Sequence, residues 1–185
     1  MTEIEALRFP APYGEMEAFQ TSGGTSTLPE TFRGRLKELD YKTIRYPGHC
    51  ERFKLLLDLG FAASDAIEID GAHVKPRRVL GELLQRRLPA DKPDVVLIRV
   101  EFAGVMNGRR QTLRYDIIDL FDARAGLSAM MRTTAFPASI IAQMMARGQT
   151  LMKGAIPQER SIPPEPFVQA LAARNIKINE SSFES

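Results

Sequence analysis

The sequence predicts a soluble globular protein that combines α-helices with β-strands. Three observations lead there. Apolar residues make up 44% of 185, enough for a real core in a chain of this length. Two long runs of β-forming residues flank Asn107-Gly108, the dipeptide that a tight hairpin turn prefers. Between proline starts and glycine stops, several other segments space their apolar residues at helical intervals.

Composition also excludes classes. The net charge is +2 with both signs mixed along the chain, so no nucleic-acid partner is implied. Apolar runs are only a few residues long, far short of a membrane span. No N-terminal stretch has the charged start and apolar core of a signal peptide. Cys50 is the only cysteine, which rules out an intrachain disulfide and a multi-cysteine metal cage. A cytoplasmic protein without a metal centre is expected. No repeat or low-complexity linker divides the chain. It reads as one domain over 1–185, with an extended segment at 1–14 and a frayed tail at 179–185.

The elements follow in order. Phe9-Pro10-Ala11-Pro12 closes the extended opening. Met16 to Thr21 is strand-like and runs into Ser22, Gly23, Gly24, Thr25, Ser26 and Thr27. Phe32 to Asp40 is a polar connector. Tyr41 to Tyr46 alternates bulky and polar groups as a strand does, and Pro47-Gly48 ends it. A helix over about Cys50 to Leu59 follows, with Phe53, Leu56 and Leu57 on one face and Gly60 at its C-terminal cap. Ile67 to Ile69 is a short strand. Pro76 suits the first turn of a helix to about Leu88, with Val79, Leu80, Leu83 and Leu84 as its buried stripe.

Fixing the Asn107-Gly108 turn fixes a register. Phe102 faces Leu113, Val100 faces Tyr115 and Ile98 faces Ile117. On the other face Glu101 meets Arg114 and Arg99 meets Asp116. Each pair is chemically compatible, and a one-residue slip would scramble them all. Nearer the base, Leu97 with Ile118 and Val95 with Leu120 make both faces apolar, so both need a cover. Ser128 to Arg147 is mostly helical, started or interrupted near Pro137, with Ile140, Ile141, Met144 and Met145 as its apolar face. Pro163-Pro164-Glu165-Pro166 opens a last helix with Phe167, Val168 and Leu171 inward. Ile176 to Ile178 reads as a short strand.

Candidate chemistry is sparse. The Gly23-Gly24 loop has neither the dinucleotide fingerprint nor a P-loop. It is either a surface turn or a ligand contact. Arg45 could grip a carboxylate with paired hydrogen bonds, and His49 could move protons. Equally, Arg45 could be a surface arginine, Tyr46 a packed tyrosine and His49 a helix-start residue. Thr133 and Thr134, before Phe136-Pro137, could hold an anion at a helix start or simply cap it. Lys75, Arg77, Arg78, Arg86 and Arg87 give a basic helix surface without interleaved aromatics, which favours a solvated face over nucleic-acid binding. Met130-Met131 and Met144-Met145 fill a core or line a subunit contact.

Four stretches together resemble the saccharopine dehydrogenase family, and within it the lysine dehydrogenase and carboxynorspermidine dehydrogenase branch. They are "EAFQTSGGTSTLPETF", "LDYKTIRYPGH" with its following "LLLDLGF", "MMRTTAFPASIIAQMMARG" and "IPPEPFVQALAARNI". They occur in family order from about residue 9 to residue 178. The resemblance covers only the family's second half, so the N-terminal Rossmann domain that binds NAD or NADP is expected outside this chain, with no cofactor held by this chain alone.

The resemblance implies an α+β fold, a mixed, largely antiparallel sheet with helices packed on it, similar to the catalytic domain of glyceraldehyde-3-phosphate dehydrogenase. It implies a substrate-binding and homodimerising domain of an amino-acid dehydrogenase acting on saccharopine, lysine, carboxynorspermidine or a related substrate. The alternative is a non-catalytic oligomerisation or ligand-sensing module. On the enzyme reading, Gly23 and Gly24 admit substrate or the nicotinamide end of the cofactor, and Thr25 and Thr27 add hydrogen bonds. Arg45 neutralises a substrate carboxylate, Tyr46 and His49 shape the pocket, and Thr133 and Thr134 face the same cleft. The acid or base of the reaction is not among the residues implied.

Overall fold

The computed structural model describes residues 1–21, 23–88 and 92–184. Ser22 and Ser185, named above for the glycine loop and the tail, lie outside the described residues. The chain forms two compact units, Met1–Lys92 and Pro93–Ser185. Both mix helices with antiparallel strands, so the fold is α+β.

The first unit opens with β1 (Thr2–Phe9) and β2 (Gly14–Gln20). The N-terminal segment is thus a full strand, paired with β2 from Phe9↔Gly14 to Thr2↔Gln20. The short helix α1 (Leu28–Thr31) leads to β3 (Thr43–Arg45), which adds to β2 to give the order β1-β2-β3. Met16, Ala18 and Phe19 of β2 are buried. Next is α2 (His49–Asp58), whose end is capped by Gly60 at φ +85°, a conformation that costs a glycine little. Phe53 and Leu56 are half-buried, but Leu57 is exposed.

A hairpin of β4 (Ile67–Ile69) and β5 (Ala72–Val74) precedes α3 (Pro76–Arg87). β5 completes a hairpin with the expected strand Ile67 to Ile69. Its signal was Asp70-Gly71, at φ +51° and +77°, the same turn chemistry as Asn-Gly. The expected buried stripe of α3 is only half realised. Leu80 and Leu84 are half-buried, while Val79 and Leu83 are exposed.

The second unit is built on β6 (Val95–Met106) and β7 (Arg109–Leu120). Every expected pair is present, from Val95↔Leu120 and Leu97↔Ile118 through Arg99↔Asp116 to Phe102↔Leu113. Asn107 and Gly108 take φ +54° and +78° as the turn requires. Arg99 and Asp116 close a two-pronged ion pair, both contacts at 2.8 Å.

α4 (Ala129–Ala146) runs unbroken through Pro137. The helix expected over Ser128 to Arg147 is present, but the proline's expected effect is corrected: Pro137 neither starts nor interrupts it. Ser128 accepts from the Met131 N–H, and Asp94 accepts from the Ala129 and Met130 N–H groups. Arg132 then fastens this first turn to Asp119 and Asp122. Such anchoring outweighs the roughly 3 kcal/mol that an interior proline costs.

After α5 (Gln158–Ser161), α6 (Pro164–Ala172) packs on α4. Ile140, Met144, Leu171 and Ile176 form the core, against Ile117 of β7. Met145 and Val168, expected inward, are exposed. Ile176 to Ile178 is not a strand, since Ile176 turns into the core. The strand lies later, as β8 (Asn179–Glu184), pairing with β7 from Asp116↔Asn179 to Gln111↔Glu184. The expected tail is thus an edge strand. No helix among the described residues is long and apolar enough to cross a membrane.

Candidate functional site

Seven of the candidate residues lie in the first unit, and β3 arranges them in two groups. Antiparallel pairing sets Phe19 against Thr43 and Glu17 against Arg45. The glycine loop leaves β2 at the Thr43 end, where the Thr21 and Thr43 hydroxyls hydrogen-bond at 3.1 Å. Arg45, Tyr46 and His49 lie at the other end. Two strand residues separate these ends by about 7 Å.

At the loop end the two glycines differ. Neither has a positive φ, so the turn itself does not require them. A Cβ on Gly24 would fall within the Tyr41 ring, so Gly24 is a packing glycine. A Cβ on Gly23 would meet nothing within 4 Å, and no contact among the described residues explains the glycine there. The Thr25 carbonyl accepts from the Leu28 N–H, and the Thr27 carbonyl accepts from Glu30 and Thr31. Both threonines therefore serve the turn into α1.

At the other end the central group is Glu17, which sequence reasoning passed over. Its carboxylate is buried under α2 and accepts from the Gly48 N–H at 2.8 Å and the Cys50 N–H at 2.6 Å. The start of α2 therefore already holds an anion, the protein's own. A carboxylate inside the apolar run Met16–Phe19, at the middle of β2, was the available signal.

Glu17 is the cross-strand neighbour of Arg45 but is occupied elsewhere. The exposed Arg45 guanidinium donates to the Ile44 carbonyl at 2.8 Å and makes no ion pair among the described residues. Tyr46 beside it is 62% exposed. His49 stacks on Phe53, with ring centroids 4.3 Å apart, and lies near Phe19. Burial lowers its pKa below the ordinary 6.5, the Arg45 charge lowers it further, and Glu17 opposes both. At neutral pH His49 is an uncharged imidazole able to accept a proton.

Thr133 and Thr134 lie in the second unit, inside α4 rather than at its start. The Thr133 hydroxyl donates to the Ala129 carbonyl at 2.8 Å, and that of Thr134 to the Met130 sulfur at 3.7 Å. An anion cannot use helix-start N–H groups there, because the i−4 carbonyls already bind them.

A dinucleotide does not fit the glycine loop. Strand, glycines and helix occur in the right order, but β2 lies in an antiparallel sheet and α1 has only four residues. A pyrophosphate site needs a full helix presenting its N-terminus. Nor do the described residues contain a cluster of His, Cys, Asp and Glu suited to a metal. The fold class and the ordered motifs agree with a direct comparison, in which residues 1–176 match the family model described as saccharopine dehydrogenase C-terminal domain. The chain belongs to that family of oxidoreductase domains.

Proposed function

We propose that this chain is the substrate-binding and oligomerisation domain of a dehydrogenase that moves hydride between NAD or NADP and the C–N bond of an amino-acid substrate. The cofactor belongs to a Rossmann domain that works with the chain, and this chain binds and orients the substrate. The observation that carries the reading is Arg45: an exposed guanidinium whose cross-strand carboxylate is consumed by α2. It is available to take a substrate carboxylate in two parallel hydrogen bonds. His49, neutral because of burial and the nearby Arg45, is placed to accept a proton in the same neighbourhood, with Tyr46 as an exposed wall. Gly23 leaves the loop open to close approach. Thr133 and Thr134 have no part in this reading, since their hydroxyls are engaged inside α4.

Self-association is part of the proposal. α4 and α6 pack on the face of β7 that carries Ile117. Leu97, Ile118 and Leu120 point to the opposite face by strand alternation, and Leu120 is 56% exposed. A two-fold copy is the commonest cover for such a face. Light scattering is expected to give twice 20.7 kDa; a mass of one chain contradicts the dimer.

The substrate reading is tested by a thermal-shift panel on the chain together with its Rossmann domain. Amino acids and imine adducts with a free carboxylate are expected to raise Tm, and their carboxamides are not. Equal shifts for the amides would remove the Arg45 contact. No shift with any compound would favour the non-catalytic module.

A further inference from the structure

The surface of α3 has no role in the reading above, and its chemistry is one-sided. Val79 and Leu83 face outward, 37% and 53% exposed. With Val74, Lys75, Arg78 and Arg86 they line an open groove of about 430 Å³ between β5 and the helix. From Lys75 to Arg87 the chain carries five cations, Lys75, Arg77, Arg78, Arg86 and Arg87, against the single acid Glu82. Glu82 is held by Arg86 at 2.8 Å. Among the described residues Lys75 and Arg78 make no ion pair. The first turn of α3 has no acidic residue, so Arg77 and Arg78 sit at the positive end of the helix dipole, where cations are disfavoured. The groove therefore combines aliphatic groups with a basic rim on which Lys75 and Arg78 lack an acidic partner among the described residues.

We propose that this groove docks an acidic amphipathic helix from a partner protein. Aliphatic side chains at i, i+3, i+4 and i+7 of such a helix would lie on Val74, Val79 and Leu83, the helix-in-groove mode of recognition. Carboxylates on its flanks would meet Lys75 and Arg78, supplying the charge that α3 lacks. Charge complementarity of this kind sets orientation and association rate more than raw affinity. Nucleic acid is the poorer occupant, because the groove offers no aromatic ring for bases to stack on. An anionic membrane is poorer as well: an interfacial helix buries a broad apolar face in lipid, whereas Val79 and Leu83 are the only large apolar side chains that α3 exposes.

The test is fluorescence anisotropy with the full chain and a labelled amphipathic peptide, leucines on one face and glutamates on the other. Saturable binding is expected. It should weaken at least tenfold when glutamine replaces the peptide's glutamates, and at least tenfold in Leu83→Ser and in Arg78→Glu. Both residues are exposed, so these variants should keep the wild-type Tm, and an unchanged Tm excludes loss by unfolding. The proposal is overturned by no saturable binding, by binding indifferent to both variants, or by tighter binding of a single-stranded oligonucleotide or of phosphatidylglycerol vesicles.

Discussion

Arg45 in the first unit and Arg99 in the second occupy equivalent places. Each sits on a strand with a carboxylate directly across an antiparallel pair, Glu17 for Arg45 and Asp116 for Arg99. In the second unit the pair closes, and Asp116 holds the Arg99 charge and raises its pKa. Arg132 is committed in the same way, buried between Asp119 and Asp122 and bonded to the Arg174 carbonyl. In the first unit the pair stays open, because Glu17 caps α2 instead. The same two residue types in the same register thus hold the fold in one place and leave a cation available in the other. What separates them is the third element competing for the carboxylate.

The largest expected effect breaks the committed side. Arg132→Ala leaves Asp119 buried without its partner and should cost about 4 kcal/mol of stability in urea denaturation. Arg45→Ala, an exposed change, should cost less than about 0.5 kcal/mol. Equal losses would erase the contrast between the units.

Asp94 gives a smaller, pH-dependent effect. Burial works against its charge, but the Met130 and Ala129 N–H groups prevail and hold its pKa below the ordinary 3.8. Its contribution is therefore present above the unfolded value and is lost as pH falls through the lower folded value. Asp94→Ala should cost about 1 kcal/mol at pH 7. The difference from wild type should begin to shrink as pH falls below the ordinary 3.8; a difference that grows as pH falls would contradict the cap.

The two glycines sharpen the comparison within the loop. Gly24→Ala drives a methyl against Tyr41 and should cost about 1 kcal/mol, recovered in part by Tyr41→Ala. Gly23→Ala should stay within about 0.5 kcal/mol yet weaken substrate binding. A stability loss at Gly23 larger than at Gly24 would reverse the assignment. The smallest effect is electrostatic. Removing the Arg45 charge should raise the His49 pKa, and Glu17→Gln should lower it. The chain has only two histidines, so ring signals in an NMR titration separate them.

Legibility followed the range of the interactions. The β6–β7 register could be read whole because its turn and its side-chain pairs lie within one short stretch. β8 could not, since its exposed residues Asn179–Glu184 become a strand only by meeting the edge of β7. The first turn of α4 is held by Asp94, 35 residues before Ala129, a contact that local proline chemistry, which suggested a break near Pro137, cannot see. Local chemistry likewise made Arg45 and Gly24 equal candidates. Their meanings diverged only through Glu17 and Tyr41, whose partners lie across the fold.

The central claim is that Arg45 is free to hold a ligand because Glu17 is not free to hold Arg45. It is tested most directly by kcat/KM for the amino-acid substrate with Arg45→Ala, in the chain joined to its Rossmann domain, alongside the urea midpoint. A fall of about a hundredfold, or about 3 kcal/mol of lost carboxylate binding, with an unchanged midpoint, is the predicted result. An unchanged kcat/KM, or a loss that only tracks a lowered midpoint, would contradict it.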